Sequence, residues 1–153
     1  MDFSSSEDIS APIDFVFQQI TDFAAFERSI MRRGGDVERL KGGDAPVVGA
    51  KWRVNFRLRG TERTVNAELT DVDDPNMIRL GVESKNIEGG LVVELVPLSR
   101  ARTRFNIKVE IKPKTLAARL LFQSMRLTRQ RSVGRFKALV SGFAEDVEAR
   151  YRA

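Results

Sequence analysis

Arg129 comes seven residues after Phe122 and four before Val133, on the line an apolar stripe would follow along a helix. With Thr128 and Ser132 beside it, Arg129 would set a guanidinium and two hydroxyls against an apolar surface. That is chemistry for holding a carboxylate or phosphate head group. The alternative is a solvated arginine on a helix that bends there. Nearby Arg126, Arg131, Arg135 and Lys137, with Arg32 and Arg33, form a basic cluster. Such a cluster is compatible with RNA or anionic lipid, and equally with a plain wet helix face. Nucleic acid is not expected as a partner, whereas transient contact with a membrane surface is compatible with this chemistry.

Other reactive arrangements are excluded by what the chain lacks. It has no histidine and no cysteine, which removes Ser-His-Asp and Cys-His catalysis, histidine metal sites and thiolate chemistry. Tyr151 is the only tyrosine. Asp71, Asp73 and Asp74 resemble the start of a calcium loop, but Asn76 and Val82 stand where the loop glycine and bidentate glutamate belong, so this is a turn. The pairs Gly34-Gly35, Gly42-Gly43 and Gly89-Gly90 match no phosphate-binding motif. No catalytic residue, cofactor or metal is expected, and a binding protein is favoured over an enzyme.

The 153 residues are expected to form one domain, 1–153, large enough for a full core and a pocket. Apolar residues make up 42 % of the chain, and no apolar run approaches the ~20 residues of a membrane-spanning helix. A cytoplasmic setting is expected. Lys plus Arg outnumber Asp plus Glu by 26 to 21, giving +5 and a pI near 10.0. Much of that basicity falls on alternating strand positions, where it serves solubility and protects strand edges.

These residues need elements to position them. Asp2 to Ile9 alternates as a short strand. Pro12 opens a helix carrying Ile13, Val16, Phe17 and Ile20, and Asp22 caps a second with Phe23, Phe26, Ile30 and Met31, which Gly34-Gly35 ends. Val37 to Lys41 is a short strand.

Lys51 to Asp71 then writes a hairpin: Trp52, Val54, Phe56 and Leu58 alternate with polar residues, as do Val65, Ala67 and Leu69. Pairing Leu58 with Arg63 puts Phe56 opposite Val65 and Trp52 opposite Leu69. It also sets Arg59 against Glu62 and Arg53 against Glu68, with Gly60-Thr61 as a type II′ turn.

Strands follow with Ile78, Leu80 and Val82, then Leu91, Val93 and Leu95, then Phe105, Ile107, Val109 and Ile111 facing inward. Thr115 to Arg152 has no proline and predicts one long helix. Its early stripe includes Phe122 and Met125, and its later one Val133, Phe136, Val140, Phe143 and Val147. Between them, Arg126 to Ser132 has only Leu127 as an apolar residue. A helix crossing a sheet with such an interruption could roof a cavity.

The stretch Ile9-Ser10-Ala11-Pro12-Ile13-Asp14-Phe15-Val16-Phe17, followed by Thr21-Asp22-Phe23-Ala24-Ala25-Phe26, resembles the opening of the SRPBCC superfamily, also called START-like or Bet v 1-like. With the element order β-α-α-β-β-β-β-β-β-α, the likeness covers nearly the whole chain. It is nearest to the polyketide cyclase/dehydratase-like and lipid-transport-like members. The resemblance implies an α+β helix-grip fold, with a curved antiparallel sheet wrapped around the long C-terminal helix and an apolar cavity between them. In that setting Trp52, Val54, Phe56, Leu58, Val65, Leu69, Leu80, Val93, Phe105 and Ile107 would line the cavity or simply fill a core. Phe23, Phe26, Met125, Thr128, Arg129, Ser132 and Phe136 would bound it from the helices.

The leading expectation is carriage of a small hydrophobic or amphipathic molecule such as a lipid, isoprenoid or polyketide. The alternatives are a cyclase or dehydratase using an Arg or carboxylate in the cavity, and a chaperone- or ribosome-associated interaction module.

Overall fold

A computed structural model describes residues 1–153. Seven strands form one antiparallel sheet: β1 (Asp2–Ile9), β2 (Asp36–Lys41), β3 (Lys51–Leu58), β4 (Thr61–Asp73), β5 (Met77–Glu83), β6 (Ile87–Ser99) and β7 (Arg102–Pro113), in the order β1-β7-β6-β5-β4-β3-β2. Strands β2 to β7 pair with their sequence neighbours, and β1 returns to the far edge beside β7. Two short helices, α1 (Ile13–Ile20) and α2 (Phe23–Arg32), connect β1 to β2. Two more, α3 (Leu116–Arg126) and α4 (Arg129–Arg152), follow the sheet. This is the expected helix-grip-like α+β arrangement.

Local chemistry explains the helix boundaries. Pro12 precedes α1, where its missing N–H is not needed. The Thr21 hydroxyl donates to the Phe17 carbonyl at 2.8 Å where that helix ends. Asp22 caps α2 by accepting from the Ala25 N–H at 3.1 Å, and the left-handed Gly34 (φ 90°) follows its end. Thr115 caps α3 in the same way, accepting from Ala118 at 3.2 Å.

The expected single C-terminal helix is instead two. Thr128, with φ −115° and ψ 22°, leaves the helical region and divides α3 from α4. No proline or glycine stands at the break. The cause is where the two halves must go: α4 lies along β1, with Phe136 against Phe3 at 5.5 Å between ring centroids, while α3 runs on the same face from β7 toward the tip of the β3–β4 hairpin, where Ser124 meets Arg59.

The hairpin register is also corrected. Leu58 faces Thr61, Phe56 faces Arg63, Val54 faces Val65 and Trp52 faces Ala67, two residues away from the expected pairing. The turn is Arg59-Gly60, with both residues left-handed at φ 53° and 76°, as a type I′ turn requires. A two-residue slip leaves every side chain on its expected face, so alternation alone could not detect it. The predicted Arg59–Glu62 and Arg53–Glu68 pairs do not form. Lys51 meets Glu68 at 3.3 Å, Arg53 meets Glu38 on β2 at 3.4 Å, and Arg59 donates to the Ser124 hydroxyl on α3 at 3.0 Å.

The dense core occupies one half of the inner sheet face. Ile9, Val16, Leu69 and Val147 are fully enclosed there, with Phe17, Ile20, Ile78, Val93, Leu95 and Phe105 around them. The helices α1, α2 and the C-terminal half of α4 cover this half. Val140, Ala144 and Val147 provide the buried stripe of α4.

Candidate functional site

The other half of the inner face is packed differently. Val54, Phe56 and Leu58 on β3, Val65 on β4, Val82 on β5, and Val109 and Ile111 on β7 point to the helix side but are only half-buried, and lie outside the core. The helix α3 spans this region. It starts against the β5–β6 turn, where Lys114 N–H donates to the Asn86 carbonyl at 2.7 Å and Thr115 Oγ1 to Asn86 Oδ1 at 3.2 Å. By Ser124 it has reached the tip of the β3–β4 hairpin, held by Arg59. Ala118 is its one buried residue, and Leu121, Phe122 and Met125 are half-buried. Apolar side chains thus face apolar side chains without closing into a packed core.

One cation stands within this surface. Arg63 shares the inward parity of Val65, Ala67 and Leu69 and faces Phe56 across the hairpin. Its Nε is buried with no hydrogen-bond partner, and no carboxylate lies within salt-bridge distance of its guanidinium. A buried donor left unpaired costs free energy, so this position carries an unmet demand for an acceptor. Sequence reasoning passed over Arg63 among the many strand arginines. The signal was its odd-numbered place on β4, which fixes an inward direction.

The expected site residues divide among four places. Val54, Phe56, Leu58, Val65 and Met125 line the open half, with Leu80 and Ile107 half-buried at its border with the core. Trp52, Phe23, Leu69, Val93 and Phe105 are buried in the core itself. Phe26 contacts Phe143 at 5.8 Å, and Phe143 contacts Phe105 at 5.6 Å, so α2 and α4 meet through aromatic rings. Phe136 and Ser132 are half-buried on α4. Thr128 and Arg129 stand exposed at the α3–α4 elbow, where Arg129 donates to the Asp2 carbonyl at 3.4 Å and the Thr128 hydroxyl to Met125 at 3.2 Å. The bend that splits the helix turns both away from the inner face.

The inward carboxylate with the best-defined partners is Glu27 on α2. Its Oε2 accepts from Trp52 Nε1 at 2.8 Å and from Arg39 Nε at 2.7 Å, while Phe23 packs edge-on against Trp52 at 5.0 Å. The Glu27 carboxylate beside Arg39 pushes the Arg39 guanidinium above its usual range. This knot ties α2 to the sheet edge and occupies the carboxylate.

A trough of about 990 Å³ on the opposite sheet face has Gly81 and Gly90, paired across β5 and β6, in its floor. Its walls carry Lys51, Arg53, Arg79, Lys108 and Lys112 among Glu68, Glu83, Glu88 and Glu110. Charges so evenly mixed make a solvated surface. The inner face has the chemistry to take an apolar molecule, and the trough does not.

The family model described as polyketide cyclase / dehydrase and lipid transport matches residues 1–145. The chain belongs to this family. Its fold is that of the SRPBCC, or START-like, superfamily. Among solved structures, the chain is similar to the Zhui aromatase/cyclase of a Streptomyces species, with a TM-score of 0.71, 14 % identity, and 100 % of this chain and 96 % of that one covered. A Thermus thermophilus protein gives 0.68 at 15 % identity, covering 98 % and 99 %. A START superfamily protein of Mycobacterium smegmatis gives 0.56 at 13 %, covering 90 % and 98 %. No curated protein matches in sequence. At such identities the likeness is one of fold. No helix is long and apolar enough to cross a membrane.

Proposed function

We propose that the open half of the inner face is a cavity for a small amphipathic molecule, and that Arg63 takes its acidic or strongly polar end. The observation that carries this reading is the unpartnered guanidinium of Arg63 among half-buried apolar side chains. Val54, Phe56, Leu58 and Val65 would receive the apolar body, with Phe122 and Met125 of α3 above it. Apolar pockets with a few well-placed polar groups are the usual form of such sites. Membership of a family described by cyclisation and lipid transport supports the class of ligand.

A cyclase-type enzyme is the second reading. It is favoured by the same guanidinium, which could polarise a carbonyl, and by the likeness to an aromatase/cyclase.

Native mass spectrometry of protein purified from its own host should reveal a bound small molecule, depleted in Arg63→Met. In vitro, a long-chain fatty acid should bind more tightly than its methyl ester, and Arg63→Met should erase the difference. No bound species together with no binding of either probe would refute the carrier. Turnover of a retained polyketide-like ligand would favour the enzyme.

A further inference from the structure

We infer that α3 and the elbow after it dock onto an anionic lipid bilayer. This goes beyond ligand binding and rests on surface residues only. From Lys112 to Ala144 the chain has eight cations and no carboxylate: Lys112, Lys114, Arg119, Arg126, Arg129, Arg131, Arg135 and Lys137. All eight are exposed, and only Lys114 meets a carboxylate, Glu83 at 3.2 Å. The remainder of the chain holds 18 cations against 21 carboxylates, a net −3. The overall +5 therefore conceals a strongly positive segment in a chain that is otherwise slightly negative, and seven of its eight cations lie on α3, the elbow, the turn before α3 and the first half of α4.

Apolar side chains stand out of the same segment. Leu116 is 72 % exposed, Leu120 57 % and Leu127 89 %. At ~100° per residue these positions fall within roughly 40° of one another around α3, with Arg119 and Arg126 flanking them on one side. The half-buried Leu121, Phe122 and Met125 lie on the opposite side, toward the sheet. An exposed helix is ordinarily apolar on one face only. This one is apolar toward the sheet and again toward solvent.

Leucines projecting among arginines fit the interface of a bilayer, where the side chains enter the acyl boundary and the cations meet lipid phosphates. A second copy of the chain fits poorly, since self-pairing would bring two such positive segments together. RNA would be gripped by exposed aromatic rings as well as charge. The phenylalanines here, Phe122 and Phe136, are turned inward and half-buried.

The test is co-flotation of the full chain with vesicles of phosphatidylcholine alone or mixed with phosphatidylglycerol, at low and high salt. The expected result is binding to the mixed vesicles only, weakened by salt. Each neutralised arginine is worth roughly fivefold in affinity, so Arg126→Gln with Arg131→Gln should weaken binding roughly thirtyfold. Leu120→Ser with Leu127→Ser should weaken it by roughly tenfold or more. All four positions are exposed, and circular dichroism verifies that the variants fold. Absence of binding, or equal binding to both vesicles, overturns the inference. So does binding that the leucine changes leave untouched while polyuridylate competes equally, since that pattern belongs to a nucleic-acid surface.

Discussion

Replacing Arg63 with methionine should stabilise the ligand-free protein while weakening its hold on an acidic ligand. In the folded chain the Arg63 Nε is buried without a partner. An unsatisfied buried donor costs about 1–3 kcal/mol. Because the residue as a whole is only half-buried, its outer nitrogens reach water, and the low end of that range, about 1 kcal/mol, is the appropriate figure. Methionine keeps an unbranched apolar stem against Phe56 and Val65 and removes the unmet demand. For a chain of this length, about 1 kcal/mol corresponds to a rise in Tm of about 2–4 °C. The assay is thermal and urea unfolding of ligand-free protein, followed by circular dichroism. Arg53→Met is the control: on the outer face, paired with Glu38 at 3.4 Å, it should change stability by no more than about 0.5 kcal/mol. If Arg63→Met instead destabilises by about 1 kcal/mol or more, the guanidinium is already satisfied in the empty protein and the argument from unmet demand falls.

Three further changes follow from the packing. Glu27→Ala removes the acceptor shared by Trp52 and Arg39, and should cost about 2 kcal/mol, with a changed near-ultraviolet spectrum from the single tryptophan; an unaltered spectrum and stability would contradict the knot. Gly89→Ala drives a methyl into the backbone of Glu110 on β7, and should cost about 1–3 kcal/mol in urea unfolding. The Arg104 guanidinium, by hydrogen bond and charge, holds the Asp8 carboxyl below its usual range, with Arg102 adding to the effect. A carboxylate lowered on folding contributes stability that is present above about pH 4 and is lost as the pH falls through the folded value. The Tm gap between the wild type and Asp8→Asn should therefore be larger at neutral pH than in acid, and a gap that widens in acid would reverse the assignment.

What could be read from the sequence depended on the range of the interaction. Asp22 and Thr115 mark helix starts through contacts three positions away and Pro12 through its own missing N–H, and such signals are complete in the local sequence. Alternation gave the faces of β3 and β4, because parity is a property of each strand alone. The register was beyond it, because both the expected and the observed pairings put Trp52, Val54, Phe56 and Leu58 inward. Only the conformation of Arg59-Gly60 distinguishes them. The break at Thr128 lay further out of reach, since it answers to β1 and to the hairpin tip, not to any helix-breaking residue. Arg63 could be read in principle: its parity placed it inside, and only the habit of treating strand arginines as solvated concealed it.

The placement of β1 has a consequence for how the molecule is made. Asp2 pairs with Glu110 and Ile9 with Thr103, so the strand of this sheet that is synthesised first is joined to the one synthesised last. Strands β2 to β7 can zip up in order as they emerge, each beside the one before it. At ordinary elongation rates β1 waits roughly 5–20 s for its partner. Throughout that interval Ile9, later fully enclosed, has no core to enter, and the growing sheet carries an open edge. Contacts of such long sequence separation form slowly. The closing of β1 onto β7, with α4 laid across both, is then the step that completes the fold, and the step most exposed to pairing with a neighbouring nascent chain.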